Sequence, residues 1–211
     1  MAENPWFDFD AWLIDLDGTL YRAGPVRLAM AAELLLLGPH RIRAIQRFRR
    51  EQESLRLEHS PEGSSQPLAA SPYDNQLART AAALGRSVQD LAPVIQEWME
   101  RRPGKWLRLF RRRKLLTELI AFRAQGGKAA IVSDYPATAK LAGLGVNDLF
   151  DVVVASGEPG GPSQLKPAPE GYLLAAARLG VPPSRCLVIG DRLDADGEAA
   201  RRAAMAFRLL A

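Results

Sequence analysis

The chain is poor in the residues that several common chemistries need. Its 211 residues include one cysteine, Cys186, which excludes a disulfide scaffold and a Cys-rich zinc site. Two histidines, His40 and His59, leave little material for a His-based metal site or a catalytic triad. Long apolar runs are also missing. The longest, Leu34 to Leu37 and its neighbours, is interrupted by Glu33 and falls far short of the ~20 residues that span a membrane. Met1-Ala2-Glu3-Asn4-Pro5 has neither the basic nor the apolar segment of a secretion signal. These absences point to a soluble chain in a reducing, cytoplasmic setting.

What is present is ordinary globular material. Hydrophobic residues make up 47% and charged residues 25%. That composition suits one large domain, or a core with a modest insert, rather than a disordered chain. The formal net charge of +4 is local. Residues 101–114 hold eight basic side chains and no acid, leaving 20 basic against 24 acidic residues elsewhere. Such a patch can attract phosphorylated ligands, nucleic acid or an anionic lipid surface. It can equally be the solvated face of a helix, for which Leu109, Leu116, Leu119 and Ile120 supply the apolar stripe. The second reading is preferred.

Five short apolar runs read as buried strands: 11–14, 129–132, 152–155, 186–189 and 206–210. Helical patterns near 108–125, 136–144, 169–180 and 194–204 lie between most of them. This alternation predicts an α/β core with a Rossmann-like parallel sheet and helices on both faces. About 85 residues after the first strand carry no strand signal. They read as helices near 25–37, 41–58, 74–84 and 88–101, split at 60–67 by a Ser/Pro/Gly-rich surface loop.

Ligands bind at the carboxyl ends of the strands in such a sheet. Strand one runs into Asp15-Leu16-Asp17-Gly18-Thr19, strand two into Ser133-Asp134, and strand four into Gly190-Asp191 with Asp194 and Asp196 beyond. Lys166-Pro167 lies in the loop after strand three. Clustered carboxylates repel unless a cation joins them, and hard oxygen ligands favour Mg²⁺. Lys166 and Ser133 suit a phosphate, and Gly18 allows close approach of a ligand. A carboxylate nucleophile, a neighbouring acid, a metal and a lysine together describe phosphoryl transfer through an acyl phosphate.

Asp15-x-Asp17-Gly18-Thr19, Ser133, Lys166-Pro167 and Gly190-Asp191 followed by Asp196 resemble the motif set of the haloacid dehalogenase superfamily, in order across the whole predicted core. The resemblance implies that Asp15 is the nucleophile that becomes an aspartyl phosphate. Asp17 would protonate the leaving group and then activate water. Ser133, Lys166, Gly18 and Thr19 would contact the phosphate. Asp15, the Asp17 carbonyl, Asp191 and Asp196 would form the Mg²⁺ site. Asp134 stands where many relatives carry Asn, and is expected to cap the next helix. Asp194 is expected at a helix N-terminus.

The insert resembles the helical C1-type cap of phosphoglycolate phosphatase-like members. It implies a core of residues 1–21 and 108–211 and a mobile cap of 22–107, with hinges near Tyr21–Gly24 and Pro103-Gly104. The basic stretch spans the second hinge, which gives the less preferred reading its form: Arg111, Arg112 and Arg113 helping to bind an anionic substrate. Trp98 and Trp106 could stack on a substrate, but packing within the cap is preferred. The implied activity is a Mg²⁺-dependent phosphatase acting on a small phosphorylated metabolite. Its rivals are a phosphotransferase or sugar-phosphate mutase using the same intermediate, and a non-catalytic basic interaction module on the same scaffold.

Overall fold

A computed structural model describes residues 5–58 and 71–210. The expected loop at 60–67 and His59 lie outside the described residues. Five strands form one wholly parallel sheet in the order β3-β2-β1-β4-β5: β1 Ala11–Asp15, β2 Lys128–Ser133, β3 Val152–Ala155, β4 Cys186–Gly190 and β5 Ala206–Leu209. All five expected strands are present. The chain steps from β1 outward through β2 to β3, then returns to the other side of β1 for β4 and β5. The carboxyl ends of β1 and β4 therefore flank the point where the winding reverses, which is where open sheets of this type bind ligands.

Both faces of the sheet are covered, which is why the strands do not alternate apolar with polar. Trp12 and Ile14 point into a core shared with α6 (Arg113–Ala124) and α7 (Thr138–Leu144). Ala11 and Leu13 point the other way, into a core shared with α8 (Glu170–Leu179) and α9 (Glu198–Arg202). Trp12 stacks on Phe122 with ring centroids 4.4 Å apart.

The segment between β1 and β2 contains α1 (Ala23–Leu37), α2 (Ile42–Glu58), α3 (Pro72–Ala83), α4 (Val88–Ile95) and α5 (Gly104–Leu109), followed by α6. Ser71 and Ser87 start α3 and α4 by accepting the amides of Asp74 and Asp90, each at 3.1 Å. The helix expected over 88–101 changes pitch. Pro93 lies inside α4, and residues Gln96–Arg101 continue as a wider π-type turn. The helix expected over 108–125 is really two, α5 and α6. Between them Arg111 pairs antiparallel with Tyr21, bracketed by Arg22 N to Phe110 O at 3.0 Å and Arg112 N to Leu20 O at 2.8 Å. An extended backbone pairing of this kind cannot coexist with a continuous helix. The stretch expected as a helix over 194–204 likewise opens with a π-type turn, Leu193–Gly197, before α9. α5 packs on α7 through two glycines: a Cβ on Gly143 would lie 2.6 Å from the Gly104 Cα.

Candidate active site

The strand ends deliver their polar residues to one place. Asp15 is the last residue of β1 and is buried. Its Oδ2 accepts from the Thr19 hydroxyl at 2.9 Å, and its Oδ1 accepts from the ammonium of Lys166. Lys166 also donates to Asp196 Oδ1 at 2.7 Å, and Tyr172 donates its phenol to the same oxygen at 2.8 Å. The chain turns sharply after β1 because Gly18 adopts φ +100°. A Cβ there would sit 1.9 Å from Asp191 Oδ2. Only glycine satisfies both the backbone angle and the approach of Asp191.

The two carboxylates of the first motif sit in different surroundings. Burial raises the Asp15 carboxyl above the usual range; Lys166 pulls it back and Asp196 pushes it further up. One ammonium serves two buried carboxylates there, so negative charge is in excess. Burial also opposes ionisation of Asp17, but Lys140 overcomes it and holds that carboxyl below its ordinary value, helped by the Tyr21 hydroxyl. The Lys140 ammonium lies 2.7 and 2.6 Å from the two Asp17 oxygens, and Tyr21 donates to Oδ1 at 2.5 Å. Burial works against the charge on Lys166 as well, and Asp15 and Asp196 outweigh it, leaving its pKa raised.

Asp15, Asp191 and Asp196 each offer an oxygen within 4.8 Å of the other two. The donors are all carboxylate oxygens, which suits a hard divalent cation such as Mg²⁺. Burial and the facing Asp196 raise the Asp191 carboxyl, a further sign of uncompensated negative charge. Asp196 is already engaged by Lys166, Tyr172 and the Arg192 amide, the last at 3.2 Å. Its part at such a site is thus the more indirect one. Asp194 is exposed in the first turn of the Leu193–Gly197 segment and pairs with Arg192 at 2.5 Å.

Ser133 is buried at the end of β2, where its hydroxyl accepts from the Tyr135 amide at 3.2 Å. It lines a pocket of about 50 Å³ together with Asp15, Asp17, Lys166, Asp191 and Asp196. The expectation for Asp134 is corrected. Its Oδ1 accepts from the Lys166 amide at 3.1 Å, and its Oδ2 from Arg56 of α2 at 2.7 Å. The amides that open α7, Ala137 and Thr138, go instead to Glu158, both at 2.8 Å. Asp134 thus ties the lysine loop and α2 to the end of β2.

A larger cavity of about 380 Å³ shares Asp17, Arg56, Tyr135, Asp191 and Arg192 with the small pocket and extends under α1 and α2. Lys140, Arg56 and Tyr21 were not anticipated as site residues. Lys140 had a signal: it falls on the buried side of α7 with Leu141 and Leu144, below the preceding Ala137, where a lysine needs a partner. None of the eight basic residues of the stretch 101–114 lines the larger cavity. Arg102 and Lys105 pair with Glu33 at 3.5 and 2.5 Å, and Arg102 lies 4.5 Å over the Trp98 ring. Arg112 donates to the Gly18 carbonyl at 3.3 Å. Trp106 packs within the insert and donates to Glu33 at 2.8 Å, whereas buried Trp98 lines the cavity.

The profile of the haloacid dehalogenase-like hydrolases matches residues 9–204. The chain belongs to that family. Among curated relatives, the glyceraldehyde 3-phosphate phosphatase of Methanopyrus kandleri is 38% identical over 94 residues, 43% of this chain and 39% of that protein. The fructose-1-phosphate phosphatase of Escherichia coli is 45% identical over 69 residues, 33% of this chain and 35% of that protein. The matched stretches thus span little more than a third of either relative. Among solved structures, the L-2-haloacid dehalogenase of Xanthobacter autotrophicus aligns with TM-score 0.64 at 22% identity, over 96% of this chain and 78% of that one. A haloacid dehalogenase-like hydrolase of Bacillus subtilis, bound to magnesium, aligns with TM-score 0.63 at 18% identity, over 96% and 88%. These likenesses concern the family fold. The five-stranded parallel sheet with helices on both faces is that fold.

Proposed function

We propose that this chain is a Mg²⁺-dependent phosphatase that hydrolyses a small phosphate monoester through an aspartyl phosphate on Asp15. The observation that carries the reading is the second acid. Asp17 stands two residues beyond a buried carboxylate nucleophile, with its own cation, Lys140. An alkoxide leaving group needs a proton, and a positioned acid supplies typically ~10²–10⁴-fold in rate. The phosphatase names of the two curated relatives agree with this choice.

In this reading an Asp15 oxygen attacks phosphorus and the ester P–O bond breaks. Asp17 gives its proton to the leaving oxygen. The substrate phosphate, arriving beside Asp17, adds negative charge that favours the protonated carboxyl. Water then attacks the acyl phosphate and loses a proton to Asp17. The bond to Asp15 breaks, and inorganic phosphate leaves. Thr19 and Lys166 hold the two Asp15 oxygens in place throughout, and Ser133 and Lys166 hold the phosphoryl oxygens. Mg²⁺, held by Asp15, the Asp17 carbonyl and Asp191 with Asp196 behind, would supply positive charge against the transferring group.

The helical segment after Tyr21 acts as a cap over this site, excluding water while the acyl phosphate forms. In this reading its second crossing into the core is taken at the Tyr21–Arg111 pairing rather than at Pro103-Gly104. The test is phosphate release from a panel of phosphorylated metabolites, with Mg²⁺ and with EDTA, for wild type and Asp15→Asn. Release that needs the metal and disappears in Asp15→Asn supports the mechanism. Metal-independent release, or release that survives in Asp15→Asn, overturns it.

A further inference from the structure

The walls of the larger cavity are short of acceptors. Buried side-chain atoms without a hydrogen-bond partner among the described residues are Gln52 Nε2, Arg56 Nε and Trp98 Nε1. All three are donors, and all three residues line this one cavity. Buried donors are normally satisfied, so three orphans around one space call for acceptors that the described residues do not supply.

Charge tells the same story. The lining includes five cations, Arg27, Arg49, Arg56, Lys140 and Arg192, against three acids, Asp17, Glu53 and Asp191. Lys140 is taken by Asp17, Arg56 by Glu53 and Asp134, and Arg192 by Asp194. Asp191 faces the carboxylate cluster. Arg27 of α1 and Arg49 of α2 remain, with no ion-pair partner among the described residues. They stand on the two helices that roof the cavity. The small pocket beside Asp15 accounts for the phosphate that reacts; these arginines are outside it.

We propose that Arg27 and Arg49, with the donors of Gln52, Arg56 and Trp98, form a subsite for a second anionic group on the substrate. This rests on the phosphatase reading above. The substrate is then a phosphate monoester whose organic part carries a carboxylate or a second phosphate, and a neutral sugar phosphate is the poorer ligand. Guanidinium forks suit either anion, because both present paired oxygens.

Two matched pairs test this. Glyceraldehyde 3-phosphate and 3-phosphoglycerate differ by an aldehyde against a carboxylate. Fructose 1-phosphate and fructose 1,6-bisphosphate differ by a second phosphate. The wild type should favour an anionic member by about tenfold or more in kcat/KM, chiefly through KM, and added salt should shrink that preference. Which pair shows it identifies the anion. Arg27→Gln with Arg49→Gln should remove the preference, Arg27→Lys with Arg49→Lys should keep part of it, and Arg27→Glu with Arg49→Glu should reverse it. Equal use of the members of both pairs, or a preference that persists in the double Gln variant, overturns the proposal. Calorimetric binding of the four compounds to Asp15→Asn separates the two readings. Selective binding without turnover in wild type would leave the subsite standing and remove the phosphatase. Unselective binding would remove the subsite, whatever the turnover.

Discussion

The sheet edge and the helical roof face each other across one cavity and are built on opposite principles. At the sheet edge most of the charge is paired within the protein, the half-buried Asp191 excepted. Lys166 bridges Asp15 and Asp196, Lys140 holds Asp17, and Thr19 and Tyr172 take the remaining oxygens in reach. At the roof, among the described residues, donors stand without acceptors and two arginines without acids. The edge is organised before any ligand arrives, which lowers the reorganisation needed for reaction. The roof is completed only by what binds there. On the proposed reading, the chemistry belongs to the core and the choice of substrate to the insert.

The largest expected effect comes from breaking the edge at its acid. Asp17→Asn should lower kcat by about 10²–10⁴-fold on alkyl phosphates. It should cost much less on p-nitrophenyl phosphate, whose leaving group needs little proton help. Equal losses on both would remove Asp17 as the proton donor. Next comes Lys166→Met, which leaves Asp15 and Asp196 facing each other without their cation. Urea unfolding without Mg²⁺ should show a loss of about 3–5 kcal/mol, the usual result of stranding buried charge. A loss below ~1 kcal/mol would mean that the buried triad is not held as described.

The join between the two regions gives a smaller effect. Gly143→Ala brings a methyl to 2.6 Å from the Gly104 Cα and must push α5 away from α7. About 1–3 kcal/mol of stability should be lost, as in other overpacked contacts. Pairing it with Gly104→Ala should make matters worse rather than relieve them. The smallest effect belongs to the roof. Arg49→Gln should change stability by less than ~0.5 kcal/mol, because an exposed arginine with no ion-pair partner among the described residues holds nothing in place. A large loss there would show that the roof, like the edge, is built on internal partners, and would erase the contrast.

Much of the edge was legible in the chain. Apolar runs ending in Asp15-x-Asp17, Ser133 and Gly190-Asp191 placed the strands and their polar ends together, because parallel strands share one direction. Element boundaries were less legible. The helical pattern across 108–125 conceals the Tyr21–Arg111 pairing, since backbone pairing between distant segments leaves no periodicity. Asp134 looked like a cap because its nearest helix is local, whereas its partners Arg56 and the Lys166 amide are distant in sequence. The stretch 101–114 is conspicuous for its eight basic residues. The five cations that line the cavity are scattered over α1, α2, α7 and the loop after β4, with two from α2.

The sequence by itself therefore determined the family fold, the order of the motifs and the residue types available at the strand ends. Those follow from local patterning and from the rule that parallel strands present their carboxyl ends together. Only the tertiary structure decided the partners: Lys140 for Asp17, Arg56 for Asp134, and none for Arg27 and Arg49 among the described residues. Charge pairing acts over a few ångströms in space, and no spacing along the chain encodes which helix will supply the opposite charge.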